Sequence, residues 1–234
     1  MKLYYILAFG TLLCSQLCSS ASAAMASEEP YNSGIVIRWK DCKQRIDGFG
    51  IAQAGWAKEL FAFKNREQVM DKMFGKDGLR LNILRGEIFP HYWENETDKD
   101  FNLNDDIHIE LSDSDFINKS DDLLRRGQLW LTLKAKNKYH ISKLVFSTWS
   151  APAWMKSNGK VSNGRLKTEC YTDFANYLAA FYNAYKSKGI APYAISPSNE
   201  PGYAAPWNSS LWTADEMGKF ITSYLGPTFR KENI

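Results

Sequence analysis

The sequence predicts an α/β fold in which a parallel sheet is flanked by helices, as an open doubly wound sheet or as a barrel. Three observations carry this. Strand-like and helix-like segments alternate four times between Ile46 and Gly226. The segment from Tyr171 to Tyr185 keeps its apolar residues on the 3.6-residue period without a miss. The composition is that of an ordinary globular chain, with 44% hydrophobic and 24% charged residues over 234 positions.

The elements follow in order. Met1-Lys2, an apolar run from Leu3 to Leu13 and the small residues Ser19 to Ala24 predict a secretory signal peptide over residues 1–24, because the run is too short to span a bilayer. A secreted protein is expected (periplasmic if bacterial), with no transmembrane segment. Gly34 to Gly50 alternates apolar and polar residues and ends in a glycine-rich turn. Asn65 caps a helix carrying Val69, Met70, Met73 and Phe74, closed by Gly75. Leu79 to Ile88 reads as a strand with Leu79, Leu81 and Ile83 on one face. Ser120-Asp121-Asp122 opens a helix bearing Leu123, Leu124, Leu131 and Ala135, and Lys143 to Trp149 is the next strand. The long helix from Tyr171 has Lys186 and Lys188 in its last turn and Gly189 at its end. Tyr193 to Ser196 is expected as a short buried strand. Thr213-Ala214-Asp215-Glu216 is a capping box whose helix Gly226-Pro227 should stop.

Several function classes are excluded. Lys+Arg 29 against Asp+Glu 26 gives a net charge of +3, too weak for a nucleic-acid binder. His91, His108 and His140 are scattered, and no cluster has metal-site spacing. No Gly-x-Gly-x-x-Gly follows a strand. Gly159 to Arg165 lacks the Lys-Ser/Thr ending of a phosphate loop, and there is no Gly-x-Ser-x-Gly elbow. No cofactor and no metal are expected. Asn95, Asn118 and Asn208 each begin an Asn-x-Ser/Thr sequon.

In parallel α/β folds, chemistry gathers at the carboxyl ends of the strands. Those ends are rich in Gly, Pro and Trp: Gly48 to Trp56, Arg85-Gly86-Glu87, Ser147 to Met155, and Ser196 to Pro201. Asn199-Glu200-Pro201 is the sharpest. A Glu there, rimmed by Tyr203 and Trp207, is expected to be partly desolvated, which raises a carboxyl pKa and suits it to protonating a leaving oxygen. Asn199 can hydrogen-bond a sugar hydroxyl. Trp149 can stack on a sugar face, or else close the top of the sheet. Arg85 can hold a carboxylate ionised, or form an ordinary salt bridge. Glu87 shares its strand face.

Four runs together resemble glycoside hydrolase family 30 of clan A: Arg45 to Gly50, Leu81 to Arg85, Thr148-Trp149-Ser150-Ala151-Pro152-Ala153-Trp154-Met155-Lys156, and Ser196 to Pro201. The resemblance implies a (β/α)8 TIM barrel with a side β-sandwich, and retaining hydrolysis of β-glycosides. It makes Glu200 the acid/base and lines the sugar subsite with Asn199, Arg85, Trp149 and Trp56. It assigns residues 33–44 to a strand of the side domain and 45–234 to the first half of the barrel. The strands run out at the fourth, well short of the ~250 residues of a closed barrel. The family's nucleophile, a Glu after the seventh strand, has no counterpart here. The substrate expected is a β-linked carbohydrate, such as xylan, β-1,6-glucan, galactan or a glucosylceramide. The rival reading is a non-catalytic sugar-binding protein or an inactive fragment. On a barrel, Cys42 and Cys170 fall near opposite faces, ~17–20 Å apart, beyond the ~4.4–6.8 Å between Cα atoms that a disulfide tolerates. They are expected to be two free thiols, or to find a partner cysteine in the missing half of the barrel.

Overall fold

The computed structural model describes residues 38–53, 56–90 and 123–234, and the chain divides into two units, Met1–Ile46 and Asp47–Ile234. In the first unit, residues 38–46 form a turn at Trp39-Lys40, closed by Asp41 N donating to Arg38 O at 3.0 Å. These residues are exposed and include no strand, so the described part, 38–44, of the expected strand over 33–44 is not seen as a strand here. A strand requires a ladder partner, and the backbone bond described among these residues closes the turn from Arg38 to Asp41. Residues 33–37 and the signal segment 1–24 lie outside the described residues.

The second unit holds a four-stranded parallel sheet in the order β1 (Gly50–Ala52), β2 (Ile83–Ile88), β3 (Lys143–Thr148), β4 (Ala194–Ser196). Helices α1 (Ala57–Ala62) and α2 (Arg66–Phe74) follow β1. Helix α3 (Leu123–Tyr139) precedes β3, and α4 (Tyr171–Ser187) joins β3 to β4. After β4 come α5 (Ala214–Phe220), a π-helical turn (Ile221–Leu225) and α6 (Gly226–Lys231).

Side chains alternate across a strand. Leu84 and Ile88 of β2 and Leu144 and Phe146 of β3 point into the core with Met70, Phe74, Leu129, Leu131, Phe181 and Tyr185. The ring of Phe146 meets those of Phe181 and Tyr185 edge-on, with centroids 5.0 and 4.9 Å apart. A Cβ on Gly86 would stand 2.6 Å from the Phe146 ring, so only glycine lets this ring lie across β2. The long helix is α4 as expected, closed by Gly189 at φ +79.

Three expectations change. The strand at Leu79 begins only at Ile83, because Arg80 takes a left-handed backbone (φ 53) and Leu79 is exposed. Its buried face is therefore Leu84-Gly86-Ile88, not Leu79-Leu81-Ile83. The strand at Tyr193 is not buried. Tyr193 and Ala194 are exposed because β4 is an edge strand of the described sheet. The capping box of α5 is present, with Thr213 N donating to Glu216 Oε2 at 2.7 Å and Glu216 N to Thr213 Oγ1 at 3.2 Å. Gly226-Pro227 does not end that helical run. The π turn shifts the backbone pattern, and Pro227 then falls in the first turn of α6, where its missing N–H costs nothing.

Where β1 ends, the main chain of Glu87 has β3 on one side and no strand on the other. Gln128 of α3 takes that place: its Oε1 accepts from Glu87 N at 2.7 Å, and its Nε2 donates to Glu87 O at 2.7 Å and to Tyr185 Oη at 3.0 Å. Gln128→Leu keeps the volume and strands a buried donor and acceptor. It should cost ~2–4 kcal/mol in urea unfolding, and a loss below ~0.5 kcal/mol would contradict the role given to this amide.

Candidate active site

The strand face opposite the core carries the polar groups. Parallel register aligns Glu87 with Ser147, and Ser147 with Ser196, across β2, β3 and β4. Arg85 lies two residues before Glu87, so both side chains leave β2 on this face.

Arg85 Nη2 donates to Asn199 Oδ1 at 2.7 Å, and its guanidinium lies 4.6 Å from the centre of the Trp149 ring. Burial lowers the Arg85 pKa, while the charges of Glu87 and Glu200 act the other way. Two further bonds tie the loop after β4 to the end of β3: Asn199 N donates to Thr148 O at 2.7 Å, and Thr148 Oγ1 donates to Pro197 O at 2.7 Å. Glu200, next in the chain, adopts a left-handed backbone with φ 42, a conformation that costs a non-glycine residue ~1–3 kcal/mol. Strain of this kind concentrates where a side chain must be aimed.

Arg85, Trp149, Asn199 and Glu200 are thus brought together as the sequence predicts. Trp56 stands outside this cluster. Its indole Nε1 donates to Ala52 O at 2.6 Å and its ring packs on the core; no hydrogen bond or ring contact among the described residues joins it to Arg85 or Trp149. Trp154 is likewise half-buried against the core. The rim aromatics Tyr203 and Trp207 meet at 6.2 Å and are exposed.

The burial expected around Glu200 is found around Glu87 instead. Glu200 is exposed, because it sits on a loop beyond an edge strand, among exposed neighbours from Pro201 to Ala204. Glu87 is only 8% exposed. Burial pushes its carboxyl up to about 7, against a hydrogen bond from the Asn208 side chain and the charge of Arg85. Sequence reasoning saw Glu87 but missed its partner, since Asn208 reads there as a sequon. In the fold the Asn208 side chain instead acts on the Glu87 carboxyl, favouring its charged form. The hydroxyl of Ser210, the third sequon residue, is buried and donates to Ser150 Oγ at 3.4 Å. The Asn95 and Asn118 sequons lie outside the described residues.

The loops after β3 and β4 are interlocked. Ser209 N donates to Val161 O at 3.0 Å, Leu211 N to Gly164 O at 2.9 Å, and Asn163 N to Ser209 Oγ at 2.9 Å. The segment Gly159 to Arg165 is therefore a folded loop edge rather than a phosphate cradle. Cys42 is exposed and Cys170 buried, and both remain thiols. No group of three or more His, Cys, Asp or Glu among the described residues could hold a metal, and none of their helices is long and apolar enough to cross a membrane. The arrangement offers one exposed carboxylate, one buried carboxyl that titrates near neutrality, a cation between them and an indole face. These are groups suited to proton transfer and to holding a polyol.

Comparison with known proteins identifies the fold and the family. The chain is 29% identical over 224 residues to putative glucosylceramidase 3 of Caenorhabditis elegans, covering 90% of this chain and 41% of that one. It is 27% identical over 221 residues to the glucuronoxylanase XynC of Bacillus subtilis, covering 92% and 43%. Among solved structures, an endo-β1,6-glucanase superposes with a TM-score of 0.66 at 24% identity, over 82% of this chain and 43% of that one, a likeness of fold. The chain thus spans less than half the length of the relatives it matches. Residues 46–234 match the glycosyl hydrolase family 30 TIM-barrel domain, and with four parallel βα strands and this mouth the chain belongs to that family as part of its barrel.

Proposed function

We propose that this chain is the acid/base-bearing part of a secreted retaining β-glycosidase acting on a β-linked carbohydrate. The observation that carries the reading is the Arg85–Asn199–Trp149 cluster, with the strained Glu200 beside it at the end of β4. In this reading Glu200 protonates the leaving oxygen and then, as carboxylate, deprotonates the attacking water. Asn199, fixed by Arg85, keeps its amide for a sugar hydroxyl, and Trp149 supplies a flat apolar floor. The nucleophile that completes a double displacement comes from a part of the barrel outside these residues. No metal or cofactor enters the steps. Relatives named as a glucosylceramidase and a glucuronoxylanase support a β-glycoside and leave a glycolipid and a polysaccharide as the two substrate classes. A short charged start, an apolar run and the small residues up to Ala24 support secretion.

The test compares the 234-residue chain with the longest in-frame product of its gene on xylan, β-1,6-glucan, galactan and aryl β-glycosides. The longer product should hydrolyse one class and release the β-anomer first, read by proton NMR. The short chain should be inert. Release of the α-anomer would overturn the retaining mechanism. Turnover by the short chain that Glu200→Gln abolishes would instead assign the second carboxylate to Glu87.

A further inference from the structure

Lys156 closes the run that also carries Trp149, and 0% of the residue is exposed. Its main chain is pinned by a short antiparallel pairing with Leu166, in which Ser157 N donates to Arg165 O at 2.8 Å and Lys167 N to Met155 O at 2.9 Å. From that fixed base its Nζ donates to Ser150 Oγ at 3.0 Å and to the Ser209 carbonyl oxygen. Among the described residues no carboxylate forms an ion pair with it. Burying an ammonium without a counter-charge is costly, whereas a methionine would fill the same space without that cost. The place of the two acceptors shows what the charge does. The ladder between β2 and β3 ends at Thr148, so Trp149 stands one residue past it. The next residue, Ser150, is buried, and its Oγ is a junction. It accepts from Lys156, lies 3.4 Å from the Ser210 hydroxyl and donates to Ala151 O at 3.0 Å. Ser209 and Ser210 belong to the loop after β4, so the turn that carries Trp149 is clamped to that loop. The other bonds between the two loops, at Val161, Asn163 and Gly164, lie well downstream of Trp149.

We infer that Lys156 is a positioning residue for Trp149: it clamps Ser150 to the loop after β4 and so keeps the indole beside the Arg85 guanidinium, as the floor of the sugar site. Each step of the chain is a bond or a ring contact. Lys156 bonds Ser150, and the peptide bond joins Ser150 to Trp149. The centre of the Trp149 ring lies 4.6 Å from the Arg85 guanidinium, and Arg85 Nη2 bonds Asn199 Oδ1 at 2.7 Å. A charged donor suits the task, because its hydrogen bonds are about twice as strong as neutral ones and one ammonium serves a hydroxyl and a carbonyl at once. The consequence for binding rests on reading the mouth as a glycoside site, but the test does not require turnover.

The test is fluorine NMR of the full chain labelled with fluorotryptophan, with the Trp149 signal assigned by Trp149→Phe. In the parent chain Arg85→Met should move that signal, because the guanidinium lies against the ring. Lys156→Met removes both donated bonds at similar volume. In its background Arg85→Met should lose most of its effect on the Trp149 signal, while the Trp130 signal, whose ring meets Phe61 and Arg66, stays in place. A folded Lys156→Met chain that melts at lower temperature but keeps the Arg85-dependent shift would make Lys156 a structural strut and overturn the inference. A parent chain without that shift would overturn it too. Should Lys156→Met fail to fold, Ser150→Ala removes the acceptor next to Trp149 and must weaken the same coupling. An unchanged shift in Ser150→Ala overturns the inference equally. A full-length gene product that hydrolyses no β-glycoside while the coupling holds would count against the glycosidase reading alone.

Discussion

Glu200→Gln, placed in the full-length gene product, should lower hydrolysis of unactivated β-glycosides by ~10²–10⁴-fold, the usual contribution of a positioned general acid. Glutamine keeps the shape and the left-handed turn but has no proton to give. The loss should depend on the leaving group. A dinitrophenyl glycoside departs without a proton, so its first step should be nearly unaffected while its second, which needs the base, slows. The mutant should then accumulate the glycosyl-enzyme, seen as a burst in rapid mixing, and added azide should restore the rate by attacking without base assistance. An equal loss for all leaving groups, with no burst, would show that Glu200 is not the acid. The structure adds a constraint. Because Glu200 is exposed in the described residues, its environment as an acid must come from substrate and from the rest of the barrel.

The stability of the chain should pass through a minimum between about pH 7 and pH 8, which is unusual for a protein. Two buried groups of opposite sign produce it. The Glu87 carboxyl is pushed up to about 7 from 4.5, so between these values the folded chain keeps a proton that the unfolded chain has lost. Stability falls as pH rises through that window, by ~3 kcal/mol in all. The Lys156 ammonium is pushed down by burial to about 8 from 10.5, so above pH 8 the folded chain has shed a proton that the unfolded chain keeps. Stability rises there, by an amount of the same order, ~3 kcal/mol. Urea unfolding at half-unit steps from pH 5 to pH 9.5 checks both limbs. Glu87→Gln should flatten the acid limb, and Lys156→Met should flatten the basic limb. A profile that peaks at neutrality would refute the burial of both charges.

The part of this molecule written in the sequence is the part decided by neighbours a few residues apart. The period of Tyr171 to Tyr185 fixes the inward face of α4 because 3.6 residues per turn leaves only one apolar stripe. Thr213 and Glu216 cap α5 with atoms three residues apart. The strand-end runs placed Arg85, Trp149, Asn199 and Glu200 in one mouth, because parallel strands must present their carboxyl ends on one side. Only the tertiary structure decided the rest. The phase of β2 turned on the left-handed Arg80, and a one-residue slip exchanges the two faces of a strand. The continuation of α5 past Pro227 turned on a π turn that no local period announces. Which carboxyl is buried turned on what lies over it. Glu87 lies where the strand beside it has ended and Gln128, 41 positions away, bonds its main chain, while Glu200 lies on the loop beyond an edge strand. Lys156 reads as an ordinary charged residue until Ser150 and Ser209 close around it. Burial and charge pairing belong to contacts distant in sequence, and those exist only once the sheet has assembled.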